Sequence, residues 1–257
     1  MNRNDTKTGG LITRRRAIVA GVAAAGGFLV TRQAKGLPPT YGNLLRAGDT
    51  FTYAAHRALL PGHSLVKEYS PGDITSFPAT GTTDPGVTQK SALGDAYRRS
   101  KDNGFADWRL PVEGKVATPR AFSLAELKQL PSRTQITRHT CEEGWTAIGQ
   151  WTGVPLSLVL DATGLLPTAR FVLFYSYDDW VDSIDLLDAL HPQTLLAYGM
   201  NGGDLPTQHG APVRLRVERQ MGYKSMKYVQ RIAVVDEFDD GGKKGNIQNG
   251  WAWYTGI

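Results

Sequence analysis

The segment Arg138-His139-Thr140-Cys141-Glu142-Glu143-Gly144-Trp145 decides how this sequence is interpreted, because it contains the only cysteine among 257 residues. Alternating residues from position 134 predict a strand that ends at Cys141, and Gly144 predicts a turn after it. One cysteine excludes an internal disulfide framework and any site built from several cysteines. Arg138 and His139 beside the thiol favour the thiolate, which is a nucleophile or a soft metal ligand.

Two alternatives to a metal ligand stay open for Cys141. The thiol is buried and inert, like a small hydrophobe, or it is the nucleophile of a cysteine-dependent hydrolase. His139 would then be the base, since side chains two residues apart on a strand share a face. No carboxamide or carboxylate stands out in the sequence as the group that would orient this histidine.

Three further segments accompany the cysteine motif: Trp151-Thr152-Gly153-Val154-Pro155-Leu156, His209-Gly210-Ala211-Pro212-Val213-Arg214-Leu215 and Gly222-Tyr223-Lys224-Ser225-Met226-Lys227-Tyr228. Together they resemble the molybdenum-binding core of the sulfite oxidase family, over about residues 105–237 and more loosely from residue 50. Their order and size resemble the bacterial exported branch, which includes catalytic subunits of protein-methionine-sulfoxide reductases. The resemblance implies a mixed-sheet, sulfite-oxidase-type molybdopterin-binding fold with a single catalytic domain. Short strands interspersed with short helices also favour the α+β class.

The resemblance implies Mo-molybdopterin as the cofactor, with Cys141 as the protein's thiolate ligand to molybdenum. One cysteine is sufficient because the pterin dithiolene supplies two more sulfurs, and metal binding keeps the thiol deprotonated. The resemblance also implies these cofactor-binding residues: Thr75, Pro78, Ser176, His209, Arg214, Ser225, Met226 and Lys227.

The implied contacts differ in how closely they follow the family. Arg214 offers a planar guanidinium for the pterin phosphate, and residues 225–227 match the phosphate-binding stretch, although a basic surface turn is the alternative. His209 stands where relatives often have asparagine. Ser176 stands where relatives carry a threonine, and its alternative role is to cap the strand end.

The loop 73–82 departs most from the family. Thr75 replaces an asparagine that contacts the pterin in relatives, and Pro78 replaces an aromatic residue or an arginine. The alternative is that this loop, with Phe77 and small residues, simply packs on the domain.

The family's chemistry is two-electron oxygen-atom transfer at molybdenum, as sulfite-type oxidation or sulfoxide-type reduction. A sulfite dianion requires cations near the metal. The catalytic candidates beside Cys141 are Arg138 and His139, with Arg216 and Arg219 as further cations. A neutral sulfoxide requires an aromatic pocket, for which the candidates are Trp145, Trp151, Tyr175, Tyr177 and Trp180. Both sets are present, so the substrate and the direction of electron flow stay open.

Electrons are expected to pass to or from a separate haem protein, either a cytochrome c or a membrane cytochrome b. The chain has no C-x-x-C-H motif for covalent haem, and it is too short to add a haem domain and a dimerisation domain to this core. We therefore expect a monomeric catalytic domain. A cofactor-free periplasmic binding protein on the same scaffold is the alternative from another class.

Residues 1–36 predict an export signal. Six basic residues and one acidic residue lie in residues 1–34, so this segment carries the whole net charge of +5 and the rest is neutral. That distribution gives no support to nucleic-acid binding. Arg14, Arg15 and Arg16 precede a mildly apolar run, which resembles a signal for the twin-arginine translocase. We expect a periplasmic protein, membrane-tethered if the signal is uncleaved.

The remaining chain divides into three predicted parts. Residues 37–100 form a helical and loop extension that packs on the core, residues 101–240 form the oxidoreductase domain, and residues 241–257 form a tail. Helices are predicted over Leu44–Leu60 and Ile184–Leu190, and Ser123 with Glu126 predicts a capped helix start. The tail aromatics Trp251, Trp253 and Tyr254 are expected to fold back on the core, with partner docking as the alternative. No dinucleotide or nucleoside-triphosphate motif is present.

Overall fold

The structure is a computed structural model that describes residues 47–60, 62, 64–239 and 241–257. The predicted export signal in residues 1–36 lies outside these residues. Within the described part, no helix is both long and apolar enough to cross a membrane.

The described residues form short helices and two sheets. The α-helices are α1 (Ala47–Leu59), α2 (Pro85–Thr88), α3 (Ala92–Asp102), α4 (Leu124–Gln129), α5 (Leu156–Thr163) and α6 (Leu186–Ala189). The β-strands are β1 (Arg109–Gly114), β2 (Arg120–Ser123), β3 (Arg133–Thr140), β4 (Thr146–Pro155), β5 (Phe171–Ser176), β6 (Val181–Asp185), β7 (Leu195–Met200), β8 (Gly203–Asp204), β9 (Arg214–Arg216) and β10 (Val229–Val235). The 3₁₀ turns are Pro71–Asp73, Thr207–His209, Gly222–Lys224, Gly242–Lys244 and Ile247–Asn249.

The two sheets have different strand directions. The first has the order β2-β1-β10-β5-β6, in which β1 and β10 are parallel and the other pairs are antiparallel. The second has the order β3-β4-β7-β8, with β9 also paired to β7, and its pairs are antiparallel. This mixed arrangement with short helices confirms the predicted α+β class.

Apolar side chains from both sheets form one core. Val112, Val172 and Ile232 contribute from the first sheet, and Val154 and Leu196 contribute from the second. All five are fully buried or nearly so, and burial of each such side chain contributes about 1.5–3 kcal/mol. This shared core fixes the two sheets relative to each other, and with them the starting points of the loops that leave the strands.

One predicted helix, Ile184–Leu190, is wrong at its first two residues. Ile184 belongs to strand β6, and the helix that follows is only Leu186–Ala189. The strand pairs with β5 along Val181–Asp185, and the Asp185 carboxylate accepts a hydrogen bond from the Asp188 N–H to begin the helix. Sheet pairing has overridden an apolar spacing that also suits a helix.

The tail folds back on the domain, as expected. Trp253 and Tyr254 are each 2% exposed, and both rings contact Tyr53 of α1 at centroid distances of 5.6 and 5.1 Å. Arg57 of the same helix forms buried ion pairs at 2.9 Å with the carboxylates of Asp185 and Asp188. Helix α1 and the tail thus pack on the edge of the first sheet, while the boundaries of the predicted parts stay a prediction.

Candidate active site

A cavity of about 330 Å³ lies where five loops and the tail meet. Its wall includes these predicted site residues: Pro78, His139, Cys141, His209, Arg214, Ser225, Met226 and Lys227. They come from segments up to about 150 positions apart in the chain, so the fold has brought them to one place.

Three predicted site residues, Arg138, Thr75 and Ser176, do not line this cavity. Arg138 is exposed and its guanidinium lies 5.3 Å from the centroid of the Tyr69 ring, because strand alternation turns it away from the face of its neighbour His139. The Thr75 hydroxyl accepts a hydrogen bond from the Ile148 N–H at 2.9 Å. These roles stay predictions.

Ser176 reaches the cavity only through a neighbour. It is 1% exposed, and its hydroxyl donates to the Asp178 carboxylate. Asp178 itself lines the cavity. The same hydroxyl accepts the Trp180 N–H at 3.2 Å, which corresponds to the alternative role of closing the strand end.

Cys141 lies directly after β3 in a tight turn. Its N–H donates to the Trp145 carbonyl at 2.9 Å, and Gly144 has a φ of 90° that permits the turn. The thiol is 5% exposed and lies 3.5 Å from the Glu142 carboxylate. Burial raises the pKa of Cys141 to about 11, and the charges of Glu142 and Glu143 add to the rise.

The expectation that Arg138 and His139 favour the free thiolate is therefore wrong. Arg138 is turned away, and His139 is buried and uncharged. A thiol that is protonated in the absence of a metal releases its proton when a metal binds. The surroundings of Cys141 therefore suit the role of a metal ligand better than that of a free nucleophile.

His139 is held by a charged pair behind the cavity. Its Nδ1 lies 2.7 Å from a terminal nitrogen of Arg216, and Arg216 donates to both carboxylate oxygens of Glu218 at 2.9 and 2.8 Å. Burial, and then the charges of Arg216 and Arg214, hold the pKa of His139 far below its usual range. Within the described residues His139 makes no hydrogen bond to Cys141, which removes the geometric basis for a Cys/His hydrolase.

Phe77 occupies the centre of an aromatic cluster. Its ring centroid lies 5.1 Å from His139, 5.6 Å from Trp145, 5.3 Å from Trp151 and 5.6 Å from His209. The following residues 78–82 line the cavity. The loop therefore packs on the domain through Phe77 and also presents its backbone to the site.

Arg214 connects two loops of the cavity wall. Its terminal nitrogens donate to the carbonyls of His209 at 3.0 Å and Ser225 at 2.8 Å, and its guanidinium lies 4.9 Å from the centroid of the Trp151 ring. Burial, then the charge of Arg216, lowers the pKa of Arg214 to about 9. Its buried Nε has no hydrogen-bond partner in the described part of the chain.

Lys227 is a partly buried cation whose hydrogen bonds, within the described residues, go only to neutral oxygens. Its Nζ donates to the carbonyls of Thr80 at 2.8 Å, Gln208 at 3.2 Å and Thr82. Burial, then the charge of Arg214, lowers the pKa of Lys227 to about 8, and Asp178 acts in the opposite direction. His209 beside it is neutral, because burial lowers its pKa to about 4.

These donors fit a phosphate. An anion near Lys227 would compensate a charge that carbonyl dipoles only solvate. Among the described residues, the backbone N–H groups of Met226 and Lys227 have no acceptor. A thiol that suits a soft metal and a set of N–H donors that suits a phosphate share one cavity, as molybdopterin would require.

Several cavity residues were not assigned from the sequence: Glu142, Glu143, Asp178, Tyr223, Asn246 and Trp251. The two glutamates lie in the cysteine motif, but only the cations beside them were interpreted. Asn246 and Trp251 come from the tail, far along the chain, and no local pattern marks them.

Several known proteins are similar to this chain. Residues 98–242 match the oxidoreductase molybdopterin binding domain. The chain is 41% identical over 151 residues to the "Putative protein-methionine-sulfoxide reductase subunit YedZ1" of Azospira oryzae, covering 59% of this chain and 56% of the relative. It is 30% identical over 239 residues to the protein-methionine-sulfoxide reductase catalytic subunit MsrP of Burkholderia mallei, covering 87% and 69%.

Among solved structures, the sulfane dehydrogenase SoxCD from Paracoccus pantotrophus matches with a TM-score of 0.49 and 25% identity, covering 51% of this chain and 39% of that chain. The match spans 56% of the length of the Azospira oryzae relative and 69% of the length of the Burkholderia mallei relative.

Proposed function

The chain belongs to the oxidoreductase molybdopterin binding domain family, as the resemblance to the sulfite oxidase family predicted, and from that premise we propose that this molybdopterin-dependent enzyme reduces methionine sulfoxide in proteins. The relatives from Azospira oryzae and Burkholderia mallei carry that activity in their names. The charges around Cys141 support it.

The observation that carries the proposal is the sign of these charges. Glu142 and Glu143 are the charged groups that act most strongly on the Cys141 thiol, and both line the cavity. Two carboxylates repel a sulfite dianion, whereas a neutral sulfoxide has no net charge to repel.

The cations expected to attract sulfite are engaged elsewhere. Arg138 is turned away, and Arg216 is neutralised by Glu218 with side-chain exposures of 1% and 0%. Arg219 is 4% exposed and donates to the Gly62 carbonyl at 2.9 Å.

The aromatic part of the cavity suits a methionine side chain. Trp145, Trp180 and Trp251 line it together with Tyr223, and the rings of Tyr223 and Trp251 stack at 5.7 Å. Of the other aromatic candidates, Trp151 is fully buried beneath Arg214 and Arg216.

The overall reaction converts a sulfoxide, two electrons and two protons into a thioether and water. When bound, the cofactor supplies a two-electron centre that accepts an oxygen atom from sulfur. Cys141 would hold the metal, and Arg214, Lys227 and the backbone of Met226 would hold the phosphate. The aromatic wall would orient the sulfoxide and exclude water.

Electrons arrive one at a time from a separate haem protein, and the enzyme works as a monomer in the periplasm after twin-arginine export. The argument for export is the basic segment before residue 36 and a lone cysteine that a metal protects outside the cytoplasm. The cavity rim, where Glu143 is exposed and Trp251 is 39% exposed, is accessible to a protein substrate.

The test compares two assays on the purified holoenzyme. One supplies a reduced viologen dye and a peptide that contains methionine sulfoxide, and the other supplies sulfite and oxidised cytochrome c. We expect peptide reduction at the higher kcat/KM. Turnover of sulfite alone would overturn the substrate assignment, and a purified protein without molybdenum would favour the cofactor-free binding protein.

A further inference from the structure

His139 has a free nitrogen in the cavity and a buried ion pair behind it. We propose that Arg216 and Glu218 hold His139 as the Nε2–H tautomer, which donates a hydrogen bond to the sulfoxide oxygen of the substrate. This inference rests on the proposed function. Arg216 and Glu218 are positioning residues in it, and His139 is the group that touches the substrate.

The tautomer follows from the contact with Arg216. A guanidinium has only N–H donors and no acceptor. The 2.7 Å contact between the Arg216 nitrogen and His139 Nδ1 therefore requires a lone pair on Nδ1. The single ring proton of a neutral imidazole must then be on Nε2.

Two groups, the Glu218 carboxylate and the Trp151 ring, hold Arg216 in place, and Glu218 is held in turn by Gln135. Glu218 accepts two hydrogen bonds from Arg216, and the guanidinium lies 4.3 Å from the centroid of the Trp151 ring. Gln135 donates to the same Glu218 carboxylate at 3.1 Å. Because these contacts fix the position of the planar guanidinium, one of its N–H groups stays directed at His139 Nδ1.

The opposite edge of the His139 ring lies against Gly222, which approaches Nε2 this closely because it has no side chain. A Cβ at this position would lie 2.3 Å from His139 Nε2. His139, Cys141 and Gly222 all line the cavity, and within the described residues Nε2 has no hydrogen-bond partner. An N–H donor at the cavity wall without a protein acceptor is available to an acceptor on a bound ligand.

A sulfoxide oxygen supplies that acceptor. It carries partial negative charge and has lone pairs, whereas the thioether product is a weak acceptor. A hydrogen bond from His139 therefore favours the bound sulfoxide and holds its oxygen on the side of the cavity that contains Cys141.

The tautomer is tested by ¹⁵N NMR of the oxidised holoenzyme labelled in its histidine rings. We expect Nδ1 without a proton and Nε2 with one, for the ring whose signals disappear in His139→Gln. In Arg216→Met/Glu218→Gln both charges are removed together, so the fold is kept, and we expect the two tautomers to mix. A protonated Nδ1 in the wild-type enzyme would overturn the proposal.

Turnover per molybdenum then tests the contact with substrate. Removal of one such donor lowers kcat by about 100-fold, which we expect for His139→Phe, with a smaller loss in His139→Gln because its amide keeps an N–H. His56→Gln, a histidine outside the cavity, is the matched control and keeps the wild-type kcat.

Two kinetic results would overturn the proposal: an unchanged kcat in His139→Phe, or a loss of pterin with an unchanged kcat per molybdenum, which would place the contact on the cofactor. If the wild-type enzyme reduces no sulfoxide, the proposed function fails, and the NMR result still decides whether the ion pair sets the tautomer.

Discussion

Two lysines three residues apart, Lys224 fully buried and Lys227 partly buried, have opposite surroundings. Lys224 donates to the Asp182 carboxylate at 2.6 Å and to the Ser183 carbonyl at 2.8 Å, with side-chain exposures of 0% and 5% for the ion pair. Asn246 of the tail donates to the same carboxylate. Within the described residues, Lys227 donates hydrogen bonds only to neutral carbonyls.

The difference gives the two lysines different roles: Lys224 stabilises the fold, and Lys227 is available to bind an anion. The charge of Lys224 is compensated by the protein itself, so this lysine joins β6, the cavity loop and the tail. Among the described residues, no carboxylate accepts a hydrogen bond from Lys227, although Asp178 attracts its charge; an anion bound in the cavity would compensate that charge further. Proteins rarely bury an uncompensated charge without a functional reason.

The largest expected effect is on folding. Lys224→Met leaves the Asp182 carboxylate buried without its cation, and removal of one partner of a buried pair costs about 3–5 kcal/mol. Urea unfolding of apo and holo protein should show this loss. Lys115→Met is the control, because its ion pair with Asp236 is 40% exposed on both sides. An effect as small as that of the control would contradict the structural role of Lys224.

Lys227→Met should leave the apo protein folded and weaken cofactor retention. A hydrogen bond to a charged group contributes about 1.5–3 kcal/mol, so we expect pterin to dissociate about 10- to 100-fold more readily. Pterin content after dialysis measures this, again with Lys115→Met as the control. If Lys227→Met retains as much pterin as the wild type, Lys227 does not hold the cofactor.

Gly222→Ala tests the close contact between the loop at Gly222 and His139 of the cysteine motif. The added Cβ would displace His139, and such overpacking costs about 1–3 kcal/mol. We expect reduced turnover at nearly unchanged pterin content. Wild-type turnover would show that the His139 ring has room to move.

The smallest effect is a dependence on pH. Burial lowers the pKa of Lys227 to about 8 from 10.5. Between these values the unfolded chain binds a proton that the folded apo protein does not, so this lysine makes stability rise with pH in that window. We therefore expect the unfolding free energy of the wild type, minus that of Lys227→Met, to increase from pH 8 to 10. A flat difference would indicate that Lys227 is not desolvated.

The sequence allowed reliable prediction where the signal is local. Ser123 and Glu126 form the predicted reciprocal cap of α4, at 3.1 and 2.7 Å. Residues 225–227 also lie at the cavity, because their motif is contiguous. Both depend on side chains within a few positions of each other.

Contacts between distant segments could not be predicted in this way. The pair Arg216 and Glu218 meets His139 from another strand, and Arg216 was interpreted as a free cation. The tail residues Asn246 and Trp251 follow β10 in the chain and line the cavity beside segments that are distant in sequence. Such contacts depend on packing that no single stretch of sequence encodes.

The most direct test of the account is X-ray absorption at the molybdenum edge of the holoenzyme and of Cys141→Ser. The account predicts three sulfur neighbours in the wild type, of which the cofactor supplies two, and one fewer in the variant, whose apo fold is retained. An unchanged number of sulfur neighbours in Cys141→Ser would show that this cysteine does not hold the metal.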